Sequence, residues 1–149
     1  MLSLIDFLPQ RPSGHLRLEV FRGGELIEVF EEKNLVVDGY KNTHARLIGG
    51  DTTDFCVTQF AVGTNGAAPA PGNTALTSPF AKGVDSVSYP APGQVCYGIS
   101  LYSGEANGKD ILEFGLLTSG GVLYARRVRS LVLAKTSDVS IVGAWTITF

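Results

Sequence analysis

The sequence predicts a mainly β domain: an antiparallel β-sandwich with one short helix and an extended N-terminal arm. Two patterns lead there. Apolar and polar residues alternate along several short stretches, most cleanly at Val95, Tyr97, Ile99 and Leu101 and again at Val139, Ile141, Gly143, Trp145, Ile147 and Phe149. Turn-forming glycine and proline, 18 and 7 of 149 residues, separate these stretches. Strands of period two, broken by turns at roughly 8–12-residue spacing, are the signature of a sandwich. Only one stretch keeps the 3.6-residue spacing of an amphipathic helix.

Taken in order, residues 1–14 read as an apolar arm and a Pro/Gly joint, and residues 15–149 as a single β-sandwich domain. The arm carries Leu2, Leu4, Ile5, Phe7 and Leu8, and the joint Pro9, Pro12 and Gly14. So apolar a segment must bury itself, either on its own domain or on a neighbouring subunit, and these five residues are candidate subunit contacts. Leu16, Leu18 and Val20 then form one face of a strand. Gly23-Gly24 makes a two-residue hairpin turn, and a return strand runs from Glu25 to Phe30. The helical stretch is Val36–Ile48, with Val36, Val37, Tyr40, His44, Leu47 and Ile48 on one face. Asp38 is its expected N-cap and Gly49-Gly50 its stop. Cys56–Val62 reads as a strand leading into an uncharged surface loop from Gly63 to Thr74. Val84–Tyr89 is a weaker strand, ended by Pro90 and Pro92. From Gln94 onward strands follow one another: Val95–Leu101, Ile111–Leu117, Val122–Val128 across the Thr118–Gly121 turn, Leu131–Ala134, and finally Val139–Phe149.

Composition excludes several classes. Twelve basic against 14 acidic residues leave a net charge of −2, so phosphate neutralisation cannot hold a nucleic acid. No run approaches the ~18 apolar residues of a membrane span. The N-terminus lacks the basic start and small-residue cleavage site of a signal peptide, so synthesis in the cytoplasm is expected. Cys56 and Cys96 are too few for a disulfide scaffold and lack zinc-site spacing. Two separate buried thiols is the simplest reading, with a disulfide or one functional thiol as alternatives.

Catalytic, cofactor and metal sites are all expected to be absent. His15 and His44 sit in no nucleophile motif, and His44 reads as a hydrogen-bonded, half-buried helix residue. Gly104–Asp110 imitates a phosphate loop, but only three residues separate its glycines, and Asp110 stands where a magnesium-binding hydroxyl belongs. Gly63-Thr64-Asn65-Gly66 lacks the third glycine of a dinucleotide fingerprint. Asp51 and Asp54 share a loop without calcium-loop spacing. Glu105 and Glu113 are a nearby glutamate pair on the strand-rich half, with nothing but proximity to recommend them for acid–base work. Arg126, Arg127 and Arg129 form the one basic cluster. On a strand, Arg127 and Arg129 share a face and Arg126 points away. They read either as solvated side chains paired with nearby glutamates or as subunit contacts.

Three segments carry a resemblance. They are Asn34–Tyr40 with the helix ending at Gly49-Gly50; Phe60–Gly66 with Asn73–Leu76; and Ile111–Leu117 with Gly120–Arg126, Leu133–Thr136 and Trp145–Phe149. In this order they resemble small β-rich structural proteins of tailed bacteriophages, such as tail-fibre and tail-collar domains and stand-alone virion proteins, over roughly residues 34–149. The resemblance implies a non-enzymatic virion component without cofactors, made in the bacterial host and located in the virion. It would self-associate, a trimer being one fitting state, and bind other phage structural proteins, with neither nucleic acid nor membrane as partner. A tail, baseplate or fibre-attachment role leads, capsid decoration is the alternative, and a host-surface carbohydrate-binding module is more remote.

Overall fold

A computed structural model of the chain describes residues 11–149. The arm residues Leu2, Leu4, Ile5, Phe7 and Leu8 lie outside the described residues. Nine strands form one antiparallel sheet among those described: β1 (Ser13–Arg22), β2 (Glu25–Val36), β3 (Val57–Gly63), β4 (Phe80–Gly83), β5 (Ser86–Ser88), β6 (Gln94–Leu101), β7 (Asp110–Thr118), β8 (Leu123–Ala134) and β9 (Val139–Thr148). Their order in space is β4-β3-β7-β8-β2-β1-β9-β6-β5. The helix α1, Tyr40–Ile48, connects β2 to β3.

Two separate sheets are therefore not what forms; one sheet curls into a half-barrel. Strand β2 makes this possible. The stretch from Glu25 to Asn34 pairs with β1 except at Ile27, which falls in a bulge, and the last two residues, Leu35 and Val36, pair with Arg126 and Ala125 of β8. One long strand thus serves both halves. The two ends of the curl are tied by a very short crossing between β4 and β5. There the Val84 N–H donates to Thr58 O on β3, and the next residue's N–H, at Asp85, donates to Gly98 O on β6. Inside the curl, Leu16, Leu18 and Val20 meet Phe60, Ile111, Phe114 and Leu116, with Ile99, Ile141, Trp145 and Ile147 completing the core. Phe60 stacks on Phe114 and meets Trp145 edge-on, at centroid distances of 6.2 and 6.5 Å. The Trp145 indole N–H donates to Asn34 Oδ1 at 2.7 Å, which satisfies the core's largest side chain.

The alternation in β1, β6 and β9 is buried as the pattern predicts, except that Val95 and Gly143 are half-buried and Phe149 is exposed. The Gly23-Gly24 turn holds both residues at positive φ, 56° and 83°. β2 runs on past the expected Phe30 to Val36, the strand expected at Val84–Tyr89 is only Ser86–Ser88, and three further boundaries differ from expectation. First, β1 takes in Ser13 and Gly14 of the joint. Second, the helix starts at Tyr40, because Val36 pairs with β8 and the Val37 N–H donates to Tyr124 O. Sheet pairing outcompetes the helical spacing. Gly39 occupies the N-cap without a side-chain cap, while the Asp38 carboxylate accepts from Arg11 at 2.5 Å. Third, the two predicted strands Val122–Val128 and Leu131–Ala134 are one strand. Val128 pairs with Glu113 and Leu133 with Ile111, so residues 129–132 bulge outward.

Gly143, in the middle of β9, faces Leu18 across the ladder, and a Cβ there would lie 3.1 Å from the Leu18 Cα and 2.7 Å from its Cδ2. Backbone cannot retreat as a flexible side chain can. Gly143→Ala is expected to lower stability by about 1–3 kcal/mol. Urea unfolding measures this, and an unchanged midpoint would mean that β1 and β9 are less tightly apposed.

Candidate functional site: two apolar surfaces held by internal charge

The most polar structure in the chain lies inside it. Glu113 on β7 and Arg126 on β8 are 0% and 2% exposed, and Arg126 Nε donates to Glu113 Oε2 at 2.7 Å. Arg126 also donates to Asn73 Oδ1, Asn65 O and Ala67 O at 3.0–3.1 Å. Glu113 Oε1 accepts from the backbone N–H groups of Thr77 (2.7 Å) and Asn65 (3.3 Å). The long uncharged loop is thus the solvation shell of a buried ion pair. It supplies amides and carbonyls in place of water, which makes such burial tolerable. The loop also drops Leu76 onto Val37, Ala61 and Leu123 as a second small core. Gly115 and Gly63 leave the necessary room. A Cβ at Gly115 would meet Leu76 at 3.0 Å, and one at Gly63 would meet Thr77 O at 2.8 Å.

Lys135 acts similarly on residues 102–109. It is buried, and its ammonium donates to Asn107 Oδ1, Thr136 O and Ser103 O. Burial holds its pKa below the ordinary lysine value, while Glu105 and Asp138 oppose the shift. Burial would raise the Glu105 carboxyl, but the Lys82 hydrogen bond and the Tyr102 N–H outweigh it and hold the group low. Glu105 is therefore bound to Lys82 at 2.8 Å and Glu113 to Arg126, so each carboxylate is engaged by a cation.

The arginines divide. Arg126, expected as a subunit contact, is buried, and its donors are engaged by Glu113 and the loop. Arg127 and Arg129 do share a face. Their guanidinium carbons sit 5.7 and 5.4 Å from the Phe30 ring centroid, in the seam where β2 and β8 part. Arg129 grips Glu28 with two bonds of 2.9 and 3.0 Å, and Arg127 reaches Lys33 O and Glu32. Arg129 is buried, and only Arg127 retains a half-exposed side chain. Five apolar side chains of these two strands are exposed, Leu26, Ile27 and Val29 on β2 and Leu131 and Val132 on the β8 bulge, and they make the first apolar surface.

The second surface is a groove at the end of the half-barrel that carries the helix. A cavity of about 220 Å³, lined by His44, Leu47, Ile48, Val95, Tyr97 and Phe149 among others, shares a wall with a trough of about 500 Å³ reaching Cys56, Val87 and Tyr89. Ile48 is 89% and Phe149 63% exposed on its rim. The expected burial of Ile48 on the helix's inner face therefore fails; Tyr40 and Thr43 turn inward instead. Cys56 and Cys96 are both free and half-buried. His44 shares a 2.9 Å hydrogen bond with the Tyr124 hydroxyl and packs against Tyr40 and Phe149. Burial raises the Tyr124 phenol and pushes Tyr97 up to about 12, so both groove-floor hydroxyls stay protonated. Among the described residues no group of three or more His, Cys, Asp or Glu side chains is placed to hold a metal, and no helix is long and apolar enough to cross a membrane.

The alternation of the strands announced the core but neither surface. Ile48 and Phe149 look like core residues in sequence, and the lack of charge in the loop was the one sign of its task. Compared with known protein families, curated proteins and solved structures, the chain matches none.

Two outcomes are expected. Glu113→Gln leaves Arg126 buried against an amide whose N–H₂ must face either a guanidinium or a backbone donor. Stability should fall by about 3–5 kcal/mol in urea unfolding, and limited proteolysis should cut between residues 64 and 79. Burial also lowers the His44 pKa below its ordinary 6.5. The unfolded chain then takes this proton first as pH falls, so the stability contribution is complete above that value and disappears below it. NMR titration should place His44 under 6.5, and His44→Gln should flatten the stability–pH slope between about pH 7 and 5.

Proposed function

We propose that this chain is a non-enzymatic structural protein of tailed-bacteriophage particles that self-associates and docks on other virion proteins, as a tail, baseplate or fibre-attachment component. Capsid decoration is the second placement. The observation that carries the reading is the exposure of Leu26, Ile27, Val29, Leu131 and Val132 on a chain of which only 17% is charged. Large apolar side chains exposed in such number are what association covers. The buried charges support the same reading. Glu113, Arg126 and Lys135 fasten loops to a rigid frame, which suits a part that must hold its shape in an assembly. The segments resembling phage proteins include both Glu113 and Arg126.

Light scattering on the eluting protein and immunogold labelling of particles of the phage encoding it test the proposal. A defined oligomer, reduced to monomer by Ile27→Glu with Leu131→Glu, and gold on tail or baseplate are expected. Gold confined to the head would move the assignment to decoration, and particles without label would overturn the virion role.

A further inference from the structure

We propose that Lys135 and Asn107 condense into an isopeptide bond, a single-turnover reaction of the chain on itself that makes the clamp on residues 102–109 covalent. This inference is independent of the virion role and rests on how the Lys135 ammonium is seated.

Backbone holds the two residues together. The Gly108 N–H donates to Lys135 O at 2.8 Å, and the Lys135 N–H donates to Lys109 O at 2.9 Å. These bonds continue the β7–β8 ladder beyond Asp110 and Ala134. Lys135 is 1% exposed, and its Nζ lies 2.8 Å from Asn107 Oδ1. A C=O bond is about 1.23 Å long, so the amide carbon lies within about 4 Å of Nζ. A positioned pair reacts from about 3–3.5 Å, and rotation about the asparagine χ2 closes the difference.

The hydrogen bonds of the ammonium also aim it. Two go to backbone carbonyls, Thr136 O at 3.1 Å and Ser103 O at 3.4 Å, and the third goes to Asn107. A neutral amine keeps two N–H donors and gains one lone pair. With its donors on the two carbonyls, that lone pair points at the Asn107 carboxamide. Burial lowers the Lys135 pKa and so enlarges the share of neutral amine.

Two carboxylates act on Lys135, Glu105 and Asp138. Asp138 is taken by Thr136 and Arg22. Glu105 accepts from Lys82 Nζ and from the Tyr102 N–H, at 2.8 and 2.9 Å, both on Oε1, which leaves Oε2 to relay protons directly or through one water. The step balances. The Nζ–Cγ bond forms as the Cγ–Nδ2 bond of Asn107 breaks. Lys135 Nζ gives up two of its three protons, Glu105 passes them on, and Nδ2 departs with both as ammonium. Nothing is oxidised or reduced.

Tryptic mass mapping of the full chain, purified folded and then denatured for digestion, tests this. The bond blocks cleavage after Lys135. It should yield one branched peptide, residues 83–109 joined to residues 130–149, lighter by one ammonia than the two together. Gly108 follows Asn107, so closure of Asn107 to a succinimide loses the same mass; the branch, not the mass, decides. Asn107→Ala leaves both carbonyl bonds of Lys135 in place and should restore cleavage after Lys135. Glu105→Gln should leave Lys135 unbranched after the wild-type chain is fully branched. Wild-type chain that stays folded through prolonged incubation yet is cleaved after Lys135, without a branch, would overturn the proposal. A branch that survives Asn107→Ala would overturn the choice of Asn107, and one that forms equally in Glu105→Gln would overturn the relay.

Discussion

The Glu113–Arg126 pair is the constraint on which the surface of this half-barrel depends. Two opposite charges without water would be a liability in a core built of Phe, Trp, Leu and Ile, since desolvation can exceed their attraction. The chain offsets this with backbone. Four of the five Arg126 N–H groups find acceptors, three of them in the loop, and Glu113 Oε1 takes two loop N–H groups. A stretch that would otherwise be an entropic burden becomes a fixed outer layer with its own small core around Leu76.

The same device recurs with Lys135, whose three acceptors fix residues 102–109 and their junction with Thr136. Charge in this protein is scarce and much of it is structural. Cation–π contacts of Arg127 and Arg129 with Phe30 close the seam where the two halves of the sheet would otherwise part. What remains on the outside is consequently apolar in two places, the exposed side chains of β2 and β8 and the groove beside the helix. A frame held by internal polar networks can leave such surfaces open without collapsing onto them.

Much of the fold was legible in sequence because a half-buried strand writes its burial locally. Val95 to Leu101 and Val139 to Ile147 alternate because each face of a strand meets one environment. The Gly23-Gly24 turn was legible for the same reason, since positive φ at two successive positions is a demand that glycine meets. The helix start was not. Val36 and Val37 fit a helical face, but pairing with Ala125 and Tyr124 of β8 gave their backbone groups better partners, and nothing local encodes a strand so far along the chain.

By itself the sequence determined the strand content, the turns, the single short helix and the scarcity of charge, all of which follow from local periodicity and composition. Only the tertiary structure decided that the strands form one curled sheet, with β2 shared between its halves. It likewise decided that Arg126 faces Glu113, and that Ile48 and Phe149 rim an open groove. Each of these depends on contacts between segments far apart in the chain. Whether a side chain is core, clamp or surface is set by what the fold brings opposite it, and two positions with the same local pattern can meet different partners.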